Sequence, residues 1–287
     1  MNRSSISSLL FTSFLLCSSL TSQAETPILS DPSEVDMSAE RLQRIGAWMD
    51  HSIANKDFAG GVTLVARCGK VVHLESHGWF YEEENIPMRD DTIFRLASMT
   101  KPVASIALLM LWEEGHFNLD DPISKWLPAY ENMMVRETDA VGNEYLVPAA
   151  RPISVRHIMT HSVAFDNTMP ERPATVEEQV NIIAARPLED HPGDAWYYRS
   201  ATNQVGVLVE KISGMTLDDF LRERLFEPLD MVDTHFNVPM EKLDRVAAIY
   251  GPDENLDYQL INPPEFRPAT AYFSGSGGLS STIHDYF

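Results

Sequence analysis

The sequence predicts an α/β protein of the α+β type, in which an antiparallel sheet region and a mainly helical region follow each other along the chain. Two apolar segments, residues 62–67 and 71–78, flank a short Gly-containing turn and predict a β-hairpin. From about residue 117 to 250, helical and loop patterns dominate instead. With 287 residues, 44% of them hydrophobic, the chain is long enough to bury a sizeable core.

The charge balance excludes two classes of partner. Asp and Glu total 42 against 22 Lys and Arg, so the formal net charge at pH 7 is −20. An acidic surface repels the phosphates of nucleic acids and of anionic membranes, and we expect neither as a partner. Beyond residue 24, Cys68 is the single cysteine, which allows no internal disulfide and no cysteine-based metal site. The oligomeric state has no signature in the composition.

Residues 1–24 are predicted to be an export signal. Arg3 precedes a stretch rich in Leu, Phe and Ser, and Ser22 and Ala24 supply the small residues that a signal peptidase reads. The stretch is too short and too rich in serine for a membrane anchor. We therefore expect an exported protein, periplasmic or secreted, that comprises residues 25–287 and has no stable insertion in a membrane.

Helix signals surround the predicted hairpin. Residues 37–56 predict an amphipathic helix that Ser38 caps, because four apolar residues recur at helical spacing: Leu42, Ile45, Met49 and Ile53. Further on, Gly and Thr signals bound three shorter predicted helices, over residues 154–161, 202–212 and 217–225. Residues 136–151 are expected to form a loop.

A longer apolar helix follows the hairpin and carries the first candidate site. Residues 103–112 are apolar without a Gly or a charge, Pro102 suits the first turn, and Gly115 suits the C-terminal cap. Ser98 and Lys101 then stand three residues apart at the helix start, on neighbouring positions of one face.

Ser98 and Lys101 form a chemically useful pair. A serine hydroxyl is a poor nucleophile until a base takes its proton, and an adjacent lysine can assist that step. Free N–H groups at the helix start could receive an oxyanion. The alternative is that Ser98 only caps a core helix while Lys101 points to water, since a lone Ser-x-x-Lys match is common by chance.

Two other groups of residues have both a chemical and a structural interpretation. In residues 192–203 a tyrosine precedes a predicted helix; near Lys101 it could have a lowered pKa and act as a general base, and otherwise it is a core tyrosine with a satisfied hydroxyl. His157 and His161 have the spacing of a zinc helix, but Ile158 stands where a metalloprotease needs glutamate and no third ligand is evident. We therefore interpret the two histidines as structural and expect no metal.

Two common catalytic or nucleotide-binding motifs are not matched. The Gly-rich turn at residues 275–278 lacks the Gly-Lys-Ser/Thr ending of a phosphate loop. The sequence also contains no G-x-S-x-G nucleophile elbow, which argues against an α/β-hydrolase.

Five stretches, taken together and in order, carry a family resemblance. They are residues 91–102 (DTIFRLASMTKP), 155–161 (VRHIMTH), 198–206 (YRSATNQVG), 226–231 (FEPLDM) and 277–282 (GGLSST) with Asp285 and Tyr286. The combination resembles the serine β-lactamase-related hydrolases, which include class C β-lactamases, family VIII carboxylesterases and low-molecular-weight penicillin-binding proteins. The resemblance covers most of residues 42–287.

The resemblance implies a fold, a mechanism and three site residues. The fold would be β-lactamase/transpeptidase-like, with Ser98 as the acylated nucleophile, Lys101 as the group that holds and activates it, and Tyr198 as the base. The reaction would pass through an acyl-enzyme on a small-molecule ester, β-lactam or peptide, without a metal or an organic cofactor.

Three departures from the family pattern shape the expected function. The tyrosine motif reads Tyr-x-Ser where many β-lactamases have Tyr-x-Asn, which favours carboxylic esters, and residues 162–164 read Ser-Val-Ala in place of Thr-Ser-Gly. In this family a third motif, Lys/His/Trp-x-Gly, follows beyond the region matched by Phe287, and this chain has no match in that place. It lies on a strand that supplies one of two oxyanion donors, so we expect an incomplete sheet that lacks its C-terminal strands, and the source of the second donor stays open. The alternatives are a catalytically impaired or inactive truncated remnant and a D,D-peptidase-like cell-wall enzyme.

Overall fold

The computed structural model describes residues 28–169, 173–255, 258–264 and 269–287. The predicted export signal, residues 1–24, lies outside the described residues. The α-helices, in chain order, are α1 (Ala39–Ala54), α2 (Thr100–Glu113), α3 (Val155–Met159), α4 (Val176–Ala184), α5 (Ala201–Ser213), α6 (Leu217–Leu221) and α7 (Ile283–Tyr286). The strands are β1 (Gly60–Arg67), β2 (Lys70–Tyr81), β3 (Ile86–Pro87), β4 (Phe94–Arg95), β5 (Met134–Thr138), β6 (Glu144–Pro148), β7 (Ile249–Pro252), β8 (Tyr258–Asn262) and β9 (Ser280–Ser281).

The sheet region is built on the hairpin of β1 and β2, which confirms the sequence prediction. The two strands pair antiparallel, and the chain reverses at Cys68 and Gly69, both of which adopt the left-handed backbone conformation. Strand β3 adds to the other side of β2. Helix α1, capped by Ser38 as predicted, packs its Leu42 against Val72 of β2.

The helical region is organised around α2 and α5, which pack against each other. Helix α2 carries the predicted apolar run, begins after a short 3-10 turn at Ala97–Met99, and is followed by Gly115 in the left-handed conformation. Its fully buried Leu108 belongs to the same core as Leu208 of α5. In the part of the chain that the structure describes, no helix combines the length and the apolar character that crossing a bilayer requires.

The predicted loop at residues 136–151 is wrong, because most of it forms the antiparallel hairpin of β5 and β6. The strands are short and mostly not buried, and their apolar residues do not alternate with polar ones, so the sequence shows no strand pattern here. Only Val135 and Val147, which pair across the strands, pack into the core. The turn is held by Asp139, whose carboxylate accepts hydrogen bonds from the backbone N–H groups of Val141 and Asn143.

A turn near the C-terminal end of the chain crosses the start of α2. Strand β9 pairs with β4, and the backbone N–H of Leu96 donates to the carbonyl of Leu279 at 2.9 Å. The N–H of Leu279 in turn donates to the hydroxyl of the buried Thr100 at 3.2 Å. Two strands remote in sequence therefore fix the segment that carries Ser98.

Replacing Gly275 by Ala should destabilise the protein by about 1–3 kcal/mol, the usual cost of overpacking. A Cβ at this position would lie 2.6 Å from the carbonyl oxygen of Thr202, which belongs to the backbone of α5 and cannot move aside. The matched control is Gly251→Ala, whose Cβ would approach only the side chain of Ile261, at 3.4 Å. The midpoints of urea unfolding measure both effects, and equal midpoints would show that the turn is not held tightly.

Candidate active site

Ser98 and Lys101 are in direct contact. The Nζ of Lys101 donates a hydrogen bond to the Oγ of Ser98 at 3.0 Å. Ser98 lies in the 3-10 turn that leads into α2, so the two side chains project from successive turns of one helical segment. Ala97, directly before Ser98, has a φ of +46°, a conformation that costs a residue with a side chain on the order of 1 kcal/mol. Such strain is typical of residues that present a functional group.

A second hydrogen bond fixes the direction of the Lys101 side chain. Its Nζ also donates to the carbonyl oxygen of Ser276, at 2.7 Å, in the turn before β9. Asn203 of α5 holds that turn, because its Oδ1 accepts from the N–H of Ser276 at 3.1 Å and from the hydroxyl of Ser274 at 2.9 Å. The ammonium group is therefore held between the nucleophile candidate and a rigid turn.

Tyr198 completes the group from the segment just before α5. Hydrogen bonding with the Ser98 hydroxyl lowers the pKa of Tyr198 below its usual value of about 10, and hydrogen bonding with Lys101 and its positive charge lower it further. The Nζ of Lys101 lies 4.9 Å from the centroid of the Tyr198 ring. The structure thus brings together all three residues that the sequence singled out, while their catalytic roles stay a prediction.

The segment that carries Tyr198 is tied to the segment around residues 161–165. The N–H of Tyr197 donates to the carbonyl of His161 at 2.7 Å, and the N–H of Gly193 donates to the carbonyl of Ser162 at 2.8 Å. Arg199 donates to the carbonyl of Phe165. The Ser-Val-Ala departure at 162–164 lies in this seam, and its Val163 and Ala164 are completely buried.

The two histidines of the zinc-like spacing have other contacts. His157 caps α3, since its Nδ1 accepts from the N–H of Ser154 at 3.1 Å. The ring of His161 lies 5.0 Å from that of Tyr198, and burial, with the nearby charge of Lys101, lowers the pKa of His161. Among the described residues, no group of three or more His, Cys, Asp and Glu side chains could hold a metal ion.

Two open clefts meet at Gly277, beside the site. The smaller, of about 750 Å³, is bordered by Ser276, and the larger, of about 950 Å³, is bordered by Ala97. Arg95 and Ala247 line both. Ser98, Lys101 and Tyr198 line neither cleft, so this open space borders the group of candidates on the side of the Gly-rich turn.

Sequence reasoning missed the residues that support the three candidates. Asn203 lies in the stretch that carries the family resemblance, but its contact with the turn at 274–276 joins positions far apart in the chain. Ser276 contributes a main-chain carbonyl, which any residue type could supply. The stacking of Trp196 on Tyr198, with ring centroids 5.8 Å apart, also depends on the folded backbone.

Comparison with known proteins identifies the family pattern over most of the chain. A family model described as Beta-lactamase matches residues 45–287. An uncharacterized protein of Mycobacterium tuberculosis is 31% identical over 242 residues, 79% of this chain and 60% of that protein. Esterase EstB of Burkholderia gladioli is 30% identical over 224 residues, 72% of this chain and 54% of that protein. The chain therefore spans little more than half the length of these relatives.

The solved structures confirm the predicted fold. EstCE1, described as a hydrolase with promiscuous acyltransferase activity, superimposes with a TM-score of 0.71 at 25% sequence identity. The match covers 86% of this chain and 70% of that structure. The mixed sheet and helix regions thus form a β-lactamase/transpeptidase-like fold, as the motifs indicated.

Relative to an ordinary tyrosine, the pKa of Tyr198 should be lower and the pKa of Tyr197 should be higher. Contact with Ser98 and Lys101 lowers the pKa of Tyr198, whereas the hydroxyl of Tyr197 donates to Asp190 at 2.6 Å and its pKa is raised. NMR titration of ¹³C-labelled tyrosine measures both, with Tyr198→Phe and Tyr197→Phe assigning the signals. In Lys101→Met the pKa of Tyr198 should rise because a hydrogen bond and a positive charge are lost. An unchanged Tyr198 titration in that variant would contradict the electrostatic coupling.

Proposed function

Because the chain belongs to the beta-lactamase family, we propose that it is a serine hydrolase that cleaves carboxylic esters through an acyl-enzyme. The observation that carries the proposal is the meeting of Ser98, Lys101 and Tyr198. The Oγ of Ser98 accepts a hydrogen bond from Lys101 at 3.0 Å, and the nearness of Ser98 and Lys101 lowers the pKa of Tyr198. A nucleophile, a cation and a base candidate with a lowered pKa therefore share one site.

In the first half of the reaction, the Tyr198 phenolate takes the proton from the Ser98 hydroxyl. The Oγ of Ser98 attacks the carbonyl carbon of the ester, and the carbonyl oxygen becomes negative in the tetrahedral intermediate. Tyr198 then returns its proton to the alcohol oxygen as the bond between that oxygen and the carbonyl carbon breaks. The alcohol leaves and the acyl group stays on Ser98.

In the second half, water takes the place of the alcohol. Tyr198 accepts a proton from the water, whose oxygen attacks the acyl carbonyl, and the proton then passes to the Oγ of Ser98 as the acid is released. The lowered pKa of Tyr198 serves both halves, because it increases the fraction of Tyr198 that is present as the phenolate base.

Lys101 would stabilise the phenolate form of Tyr198 throughout this cycle. The ammonium group is held by Ser98 and by the carbonyl of Ser276, so its charge stays beside the Tyr198 ring. A positive charge at this distance favours the anion over the neutral phenol.

The Tyr-x-Ser motif and the name of one relative support esters over β-lactams. Ser200 occupies the last position of the Tyr-x-Ser motif, and its hydroxyl donates to the amide oxygen of Asn167 at 2.9 Å. The Ser200 hydroxyl proton is thus already in a hydrogen bond and is not available to donate to a substrate. EstB carries the name of an esterase, which is the same substrate class.

Export to the periplasm or the medium is proposed from residues 1–24 alone.

Ser98→Ala should abolish covalent labelling by a fluorophosphonate probe, because the probe reacts only with an activated serine oxygen. The matched control is Ser105→Ala, which removes a hydroxyl from the same helix α2 and should label like the unaltered protein. In-gel fluorescence measures the labelling. Well-folded protein that takes up no probe would favour the inactive remnant over the enzyme.

Tyr198→Phe should lower kcat for p-nitrophenyl acetate by about 10²- to 10⁴-fold, the usual contribution of a general base. The matched control is Tyr197→Phe, which removes the neighbouring hydroxyl that contacts Asp190 and should keep turnover within a few-fold. Circular dichroism checks that both variants fold. Equal kcat in the two variants would remove Tyr198 from the mechanism.

The same assay separates the ester hydrolase from the D,D-peptidase alternative. Faster turnover of a D-Ala-D-Ala peptide than of p-nitrophenyl acetate would favour the peptidase.

A further inference from the structure

A large aromatic side chain lies exposed on the rim of the candidate site. Trp196 is 67% exposed, although tryptophan usually buries most of its surface. Its ring stacks on that of Tyr198 at an interplanar angle of 23°, and Tyr198 is itself 52% exposed. The stacked pair exposes apolar ring surface directly beside the base candidate, most of it on Trp196, and we call this surface the Trp196 shelf.

Contacts from neighbouring residues hold the shelf, although it lies in a loop. The ring of His161 lies 5.0 Å from that of Tyr198 and 6.4 Å from that of Trp196, so it contacts the pair from the side. Tyr197, between the two stacked residues, is fixed by its N–H to the carbonyl of His161 and by its hydroxyl to Asp190. A ligand that lies on the shelf would not have to order it first, which favours binding.

We propose that the Trp196 shelf binds the alcohol half of the ester substrate, and that this half is a neutral planar or bulky apolar group. The inference rests on the proposed function, since it assigns a direction to the substrate at the same site. Stacking on Trp196 and Tyr198 supplies the affinity, because aromatic pairs are stabilised beyond the area that they bury.

Proton transfer decides which half of the substrate meets the shelf. The proton that Tyr198 takes from Ser98 has to reach the leaving alcohol oxygen as the carbon–oxygen bond breaks. The alcohol oxygen must therefore lie within hydrogen-bond reach of the Tyr198 hydroxyl. The rest of the alcohol then lies beside the half-exposed Tyr198 ring and reaches the exposed ring of Trp196, whereas the acyl group stays bonded to Ser98.

The charge near the shelf decides against a cationic group. Exposed Trp and Tyr rings can bind quaternary ammonium ions, but the Tyr198 ring already has the ammonium of Lys101 at 4.9 Å from its centroid. A second cation on the same pair of rings would be repelled. A neutral apolar alcohol is not.

The test compares two esters that carry the same ring on opposite sides of the scissile bond with a reference ester that has no ring. They are ethyl acetate, 2-(2-naphthyl)ethyl acetate with the ring in the alcohol, and ethyl 2-naphthylacetate with the ring in the acyl group. Both alcohols are primary alkyl alcohols, so their leaving tendencies are similar. In Trp196→Ala, kcat/KM for the naphthyl alcohol ester relative to ethyl acetate should fall about 10-fold. The corresponding ratio for the naphthyl acyl ester should change less than about 2-fold.

The matched control is Trp48→Ala on α1. Trp48 is also exposed, at 59%, and its ring pairs with that of Phe58 and not with a residue of the candidate site. This variant should leave both ratios unchanged. Thermal unfolding of the two variants checks that neither substitution disturbs the fold, and Trp196→Phe should recover most of the selectivity because a stacked ring remains.

A second readout does not depend on turnover. In Ser98→Ala, which cannot be acylated, 2-(2-naphthyl)ethanol should bind, and the additional Trp196→Ala change should weaken its Kd about 10-fold by fluorescence titration. In Trp196→Ala, an equal decrease of both kcat/KM ratios, a decrease of the acyl-ester ratio alone, or no change in either ratio would each contradict the proposed role of the Trp196 shelf. Failure of the unaltered protein to hydrolyse any of the three esters or to take up the probe would overturn the proposed function instead, and the shelf with it.

Discussion

The ammonium group of Lys101 holds three distant parts of the chain together. Its Nζ contacts the hydroxyl of Ser98 on the same helix, the carbonyl of Ser276 near the C-terminal end, and the ring of Tyr198 before α5. A partly buried charge is costly unless it is hydrogen-bonded. The same contacts that satisfy this charge therefore draw the nucleophile candidate, the turn and the base candidate toward one point.

The sequence predicted best what depends on neighbours in the chain. The pairing of Ser98 with Lys101 follows from helical spacing, and the hairpin of β1 and β2 follows from a short turn between two apolar runs. Tyr198 was reached only through the family resemblance, because no local pattern tells which tyrosine will approach Lys101. The hairpin of β5 and β6 was missed since its strands are short and their apolar residues do not alternate with polar ones.

Two residues beside the candidate site depart from the usual preferences of backbone conformation and burial. Ala97 adopts a backbone conformation that disfavours side chains, and Trp196 exposes an apolar ring. Each would be unfavourable in an ordinary surface segment, and both lie within two residues of a candidate catalytic group. Departures of this kind concentrate where function compensates for their cost. In the adjoining segment at residues 161–165, Val163, Ala164 and Phe165 are fully buried, while His161, beside the Tyr198 ring, adopts the left-handed conformation at a φ of +55°.

Hydrolysis and acyl transfer would compete for one position in this arrangement. The alcohol departs from a place beside the Tyr198 hydroxyl, and the water of the second half must arrive at the same place to give up its proton. An alcohol that stays on the Trp196 shelf would exclude that water and could itself attack the acyl group, which reverses the first half of the reaction. The balance between the two outcomes would then depend on how long the alcohol stays on the shelf, and so on the apolar area that Trp196 offers, while the chemistry at Ser98 stays the same.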